Sequence, residues 1–432
     1  MLQAAPPFRQ QIVTDPGTVD AQAWNDLLAR QHAPTPFMRR EYLAALHASG
    51  SAVPETGWAP RFMLLWDGAA LAAACPLYVK AHSYGEYVFD WAWANAYAEH
   101  GLRYYPKALV AVPFTPVPGS RLLARDAAAR AALVRALLAW CTQHKLSSLH
   151  VLFGDDEDVA ACAAADLMPR HQVQFHWKNL RPPRSPAARG ALPPEGALAA
   201  LGRPGGGSEH ELGPYRDFED FLAALTQDKR KKIRQERRKV AAAGVRFRSA
   251  RGAAITPADW AFFYRCYERT YLEHGNEPYL TPAFFEAMAR DLASHWVLFI
   301  AERAGQPIAC SLIAVSADLA GVGGQNDSEM VAYGRYWGAL ERVDCLHFEA
   351  CYYQPIDWCI RHGVARFEGG AQGEHKMARA LLPVATTSCH WLAHPAFADA
   401  VARFLAREDQ GMERYLHDLQ ERSPLRHASA PA

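Results

Sequence analysis

Trp296-Val297-Leu298-Phe299-Ile300-Ala301, a turn at Ala304-Gly305, and then the run from Pro307 to Val315 decide the fold of this chain. Two apolar runs broken by a glycine turn read as a hairpin of buried strands. Before the hairpin, Thr281-Pro282-Ala283-Phe284 opens an amphipathic helical pattern that continues through Leu292, with proline where a first helical turn accepts it. After it, Leu346 to His362 reads as a buried helix, Ala365 to Glu368 as a strand, and a last strand carries His390-Trp391. The same order stands earlier in the chain. Thr35-Pro36-Phe37 opens a helix through His47, and Arg61 to Trp66, Asp67-Gly68 and Leu71 to Val79 form a second hairpin pattern. A helix from Asp126 to His144, a strand from Ser148 to Phe153 and a strand carrying His176-Trp177 follow. A repeated order of elements indicates a duplication. Antiparallel hairpins ahead of a helix-then-strand unit favour mixed sheets. The expected fold is therefore α/β, with two tandem domains of mixed β-sheet flanked by helices. They span 1–180 and 214–420, with the Pro/Gly/Ala-rich stretch 181–213 as linker or loop insertion.

At 432 residues the chain exceeds one ordinary core. Formal net charge is +1, so attraction to nucleic acid or membrane has to come from local patches. Twelve tryptophans suit large apolar clefts. The nine cysteines are odd in number and form no CxxC pair, which predicts reduced thiols, a cytoplasmic setting and no zinc site. His347 and Cys351 lie one helical turn apart, but no second pair completes a metal site, so none is expected. Met1 to Gln10 lacks a charged leader with an apolar core, so no signal peptide is read, and no apolar run is long enough to cross a bilayer.

Chemistry concentrates in Arg366-Phe367-Glu368-Gly369-Gly370-Ala371-Gln372-Gly373-Glu374-His375-Lys376-Met377-Ala378-Arg379. Ligands of open α/β sheets bind beyond strand ends, where glycines allow close approach and Glu, His and Lys supply acid–base groups. The bland alternative is a solvated ionic network. A second segment, Lys229 to Val240, holds eight basic residues and one acid, with Ile233 and Val240 as its apolar stripe. Lys229, Arg230 and Arg234 are candidate contacts for an anionic substrate, against the reading of a solvated face. The helix that begins near Phe218 has Asp217 as its cap. Glu349, Tyr353, Ile356 and Ile360 share one helical face, making Glu349 either an acid–base candidate or a structural acceptor. Tyr333-Gly334-Arg335-Tyr336-Trp337-Gly338 reads as a strand that a ligand could approach, or as packing. Phe89 to Tyr97 and Arg103 to Lys107 either wall a cleft, with Asp90 and Arg103 as orienting charges, or belong to the core.

Lys229 to Lys239, Gly334 to Gly338, Glu349 to Gln354 and Phe367 to Arg379 together resemble the FemAB-like predicted N-acyltransferases of the GNAT superfamily. So do Gly85 to Trp91, Tyr104 to Lys107 and Val112 to Val117, and the resemblance runs from Ala23 to about Leu405. It implies two GNAT-like domains in one polypeptide and transfer of an acyl or aminoacyl group to an amine, with a cell-envelope precursor as candidate acceptor. The donor it implies is acyl-coenzyme A or aminoacyl-tRNA, a co-substrate rather than a tightly bound cofactor. The chain departs from the pattern at Arg379-Ala380-Leu381, and Pro182 to Glu211 and Gly321 to Met330 lengthen loops. The Gln/Arg-x-x-Gly-x-Gly/Ala pyrophosphate loop of acyl-coenzyme A enzymes is missing before the long helix.

On this reading Glu368, Glu374 and His375 are candidates for base or proton relay, and Arg335 and Tyr336 face the acyl carbonyl. Lys376 and Arg379 hold an anionic substrate, with Trp337, Glu349, Tyr353, Gln372, Asp90, Trp91 and Tyr105 as further substrate contacts. The rival reading is a non-catalytic binder of nucleic acid or another anionic polymer through residues 229–239. No stable membrane insertion is expected.

Overall fold

The computed structural model describes residues 8–181, 213–316, 329–371 and 373–425. Both hairpins form where the glycine turns place them, as Phe62–Asp67 with Ala70–Cys75 and Trp296–Arg303 with Gln306–Val315. Thr281-Pro282 opens helix Pro282–Asp291 as expected, but Thr35-Pro36 opens only the 3-10 turn Pro36–Met38, and helix Arg40–Ala48 starts after the extended Arg39; the two helices pack on each other. Tyr42 meets Phe284 edge-on at 5.3 Å, and Thr281 Oγ1 donates to the Ser49 carbonyl at 3.1 Å. The duplicated elements thus meet face to face. They share one apolar core in which Trp24, Phe37 and Phe62 lie with Phe263, Trp296 and Tyr333.

Among the described residues the strands form a four-stranded sheet and one of eleven strands. The large sheet runs Val245–Arg251, Trp296–Arg303, Gln306–Val315, Val331–Ala339, Arg366–Ala371, Met168–Lys178, Leu382–Leu392, Ser148–Gly154, Lys107–Val110, Leu77–Lys80, Trp58–Pro60. Its centre is a reciprocal exchange. Met168–Lys178, from the first half, lies beside Arg366–Ala371 of the second, and Leu382–Leu392, from the second, lies beside Ser148–Gly154 of the first. The exchanged strands also pair with each other, Leu382 opposite His176 and His390 opposite Met168.

Among the described residues two neighbouring pairs are parallel, and they correspond. Val331–Tyr333 runs with Arg366–Glu368, and Ala108–Val110 with Leu149–Val151. Each pairing lasts three residues and then ends, leaving strand ends apart at the carboxyl side where ligands of such sheets bind. Helix Pro257–Glu273 crosses Val331–Ala339 so closely that a Cβ on Gly338 would lie 2.1 Å from the Cys266 carbonyl oxygen. No helix among the described residues is long and apolar enough to cross a membrane.

Candidate active site

The parallel pairing of strand Arg366–Ala371 ends at Tyr333 opposite Glu368, and its ladder to Met168–Lys178 shifts between Glu368 and Ala371. Gly370 sits in this bulge at φ +76°, a conformation that favours glycine. The shifted Gly370 carbonyl accepts from Lys376 Nζ at 3.0 Å. Lys376 lies on the 3-10 turn Glu374–Arg379, which Gly373 opens at φ +107°. Burial pulls its ammonium down to about 8, partly opposed by Cys351. A lysine tuned close to neutrality can give up a proton or stabilise a developing oxyanion.

Arg379 ends the same turn. Its guanidinium meets both oxygens of Glu236 at 3.1 and 3.0 Å, donates to Tyr353 Oη at 3.3 Å and covers the Phe348 ring at 3.7 Å. Both partners of this pair are buried. Arg379, expected to hold an anionic substrate, instead fastens the turn to the basic helix Gln227–Ala242. Glu349 is engaged in the same way: Arg237 of that helix reaches it at 3.1 Å and Gln354 Nε2 donates to it at 2.8 Å. Glu349 to Tyr353 form a π-helical segment, a widened turn within the run from Leu346 to Arg361. Glu236, the lone acid in the basic run, was the sequence signal for this seam. The helix presents Lys231, Lys232, Arg238 and Lys239 to solvent, with Lys229 and Arg230 half-buried. Arg234 is exposed and paired with Glu219 at 2.5 Å. The helix expected from Phe218 is two helices, Phe218–Ala224 and Gln227–Ala242. Between them Leu225 is extended and bridges to Leu425.

Glu368 is buried opposite His176, the two side chains 4.0 Å apart. Arg366 donates to its Oε1 at 3.0 Å, and burial raises its carboxyl above the usual range against the pull of Arg366 and Arg121. Burial likewise takes His176 down to about 3, leaving it neutral. Arg335 donates to the Phe114 carbonyl at 2.9 Å and to Thr115 Oγ1 and Tyr336 Oη at 3.2 and 3.0 Å. Tyr336 packs among Tyr267 and Phe285, and Trp337 stands edge-on to His347. His375 is exposed and bonds Tyr352 Oη at 3.1 Å. Gln372 lies outside the described residues.

In the first half, Asp90 is buried and its partner is Lys107, at 2.5 Å, while Arg103 is exposed. Lys107 also donates to Glu86 and to Ser83 Oγ, each at 2.8 Å, and Tyr105 Oη bonds Ser83. Burial opposes ionisation of Asp90, but Lys107 outweighs it and holds the carboxyl below its ordinary value. Burial pushes Glu86 up to about 7, against Lys107. Trp91 begins helix Trp91–Glu99 with its ring exposed, edge-on to Tyr84 at 5.0 Å.

A cleft of about 450 Å³ opens beside the 3-10 turn. Tyr87, Phe89 and Phe153 reach it from the first half, Phe175 from the exchanged strand, and Tyr415 from the last helix, Pro395–Glu421. Of the residues singled out from the sequence, Phe89 of the aromatic segment and Gly373 and Glu374 of the motif line it, Glu374 accepting from Tyr415 Oη at 2.7 Å. Tyr415 and Glu408 carried no motif, since their helix reads as ordinary amphipathic sequence.

A family model described by peptidoglycan biosynthesis and recognition matches residues 16–182 and 202–427. The chain belongs to the FemAB-like family. No curated protein gives a significant match. Among solved structures, FemX aligns at 8% identity with a TM-score of 0.50, over 91% of this chain and 100% of FemX. L-PGS from Bacillus licheniformis aligns at 10% identity and a TM-score of 0.48, over 91% and 99%. A tandem GNAT protein from the clavulanic acid pathway aligns at 13% and 0.41, over 90% and 99%. The likeness to FemX is one of fold. In this FemAB-like chain the two halves repeat one order of elements and exchange their final strands.

Proposed function

We propose that the protein is an N-acyltransferase that moves an acyl or aminoacyl group from an activated ester or thioester to an amine. Lys376 carries the reading: a buried amine brought to about 8, on a turn whose first residues, Gly373 and Glu374, line an aromatic cleft. In the proposed reaction the ammonium of the acceptor first gives a proton to Glu374, directly or through His375. The freed lone pair forms the N–C bond to the donor carbonyl, and the C–O or C–S bond breaks. The departing oxygen or sulfur takes a proton from Lys376, whose neutral amine then takes the second proton from the nitrogen. Lys376 would donate to the oxyanion and then to the leaving group. Glu368 would act from beneath the turn as a positioning group, whereas Arg335 and Tyr336, engaged with Phe114, Tyr267 and Phe285, stand apart from the residues that line the cleft.

The solvent face of the basic helix suits the phosphates of the donor. Arg379 and Glu236 join that helix to the same turn, which favours a donor carried on tRNA over coenzyme A, given the missing pyrophosphate loop. We assign the two GNAT-like units to 1–180 and 214–420, and the acceptor to a cell-envelope precursor in the cytoplasm. Labelled aminoacyl-tRNA and acyl-coenzyme A, each offered with a peptidoglycan-precursor amine, test this. Amide formation from one donor supports it, and consumption of neither donor overturns it.

A further inference from the structure

Two carboxylates face the five aromatic rings of the cleft, and they differ. Glu408 is held by both arms of Arg170 at 2.8 Å, so its charge is already matched. Glu374 is exposed and accepts only a neutral phenol hydrogen bond among its described contacts. His171, also on the wall, bonds Thr387 Oγ1 through Nδ1 at 3.0 Å and stands 3.9 Å from Asp409. No lysine or arginine is among the described residues that line the cleft. The space therefore combines one unmatched negative charge with ring faces whose quadrupoles are also negative. A phosphate or carboxylate entering it would meet Glu374 with no cation to receive it. A neutral apolar ligand would fill the rings but leave the carboxylate unmatched.

We infer that this cleft binds an organic cation: a protonated primary amine on an apolar stem, with the ammonium at Glu374 and the stem against Tyr87, Phe89 and Phe175. Its role as acceptor pocket rests on the transferase reading above, whereas its preference for a cation does not. Its size falls in the range of small-ligand sites, roughly 300–1,000 Å³. The anionic portions of any substrate then lie outside it.

Three probes of one shape and different charge test the inference by calorimetry on the full chain at neutral pH: phenethylammonium, 2-phenylethanol and phenylacetate. Phenethylammonium should bind about tenfold or more tightly than the alcohol, as expected for a carboxylate and aromatic faces acting together, and phenylacetate weakest of all. Glu374→Gln should bring ammonium and alcohol to within about twofold, while Phe89→Ala, at a ring 51% exposed, should weaken both alike. Equal binding of alcohol and ammonium, a preference that survives Glu374→Gln, or no binding of any probe overturns the inference. If amide formation persists without the cation preference, the cleft assignment fails and the transferase stands. If the preference holds without amide formation, the cation site stands and the transferase fails.

Discussion

Glu374 and Arg379 sit at opposite ends of one 3-10 turn and fasten it to different parts of the molecule. Glu374 accepts from Tyr415 on the last helix at the cleft, and Arg379 grips Glu236 on the basic helix. Lys376 lies between them, bonded back to the bulged carbonyl of Gly370. One short turn thus connects an aromatic cleft, a tuned amine and a cationic helix.

Lys376 should cost stability that its chemistry requires. Its folded value of about 8 lies below the 10.5 of a free lysine, so the unfolded chain binds more protons between those values and stability rises with pH through that window. At pH 7 the penalty is at most about 3 kcal/mol, the free-energy equivalent of the shift. Lys376→Met should therefore melt above wild type at pH 7, the gap closing towards pH 10.5. An unchanged or lower melting point at pH 7 would show that the amine is not strained by burial.

Glu368 carries the opposite sign. A carboxyl raised on folding keeps its proton longer in the native state, so stability falls as pH rises through the folded value. Glu368→Gln should equal wild type near pH 4 and gain on it as the pH is raised to 8, read from urea midpoints. Its activity should fall less than that of Lys376→Met, as expected of a positioning group.

Gly338 is needed for close packing rather than for a bend. Ala at this position would press its methyl into the Cys266 carbonyl, so Gly338→Ala should lose about 1–3 kcal/mol or more in equilibrium unfolding. A loss below about 0.5 kcal/mol would mean that helix Pro257–Glu273 shifts freely on the strand.

The exposed side of the basic helix should serve binding, not folding. Charge reversal at Arg234 and Arg238, both exposed, should raise KM for the donor and flatten its salt dependence, with the melting temperature nearly unchanged, because exposed ion pairs contribute little. Unaltered KM and salt slope would mark the run as a solvated face.

The hairpins, the helix opened by Thr281-Pro282 and the strand before Gly369 were legible in the sequence, because glycine turns, capping and apolar runs are local signals. The exchange of Met168–Lys178 with Leu382–Leu392 was not. His176-Trp177 and His390-Trp391 look alike, and a duplicated strand fits either edge, so only the packed molecule selects its neighbour. Glu374, His375, Lys376 and Arg379 were visible as one motif. Sequence proximity does not say which way each faces, however, and the turn sends Arg379 to Glu236 and His375 to Tyr352. Asp90 was recognised as a charge in an aromatic setting. Its partner, Lys107, lies on a buried strand, while Arg103, the other charge named with it, stands in an exposed loop.

Amide bonds should form at the Glu374–Lys376 turn. Mass spectrometry of a peptidoglycan-precursor amine incubated with aminoacyl-tRNA tests it most directly, comparing wild type, Glu374→Gln and Lys376→Met. Wild type should give an aminoacyl mass gain, and each variant, still folded, a rate about two to four orders of magnitude lower. Variants that form the amide at the wild-type rate would contradict it.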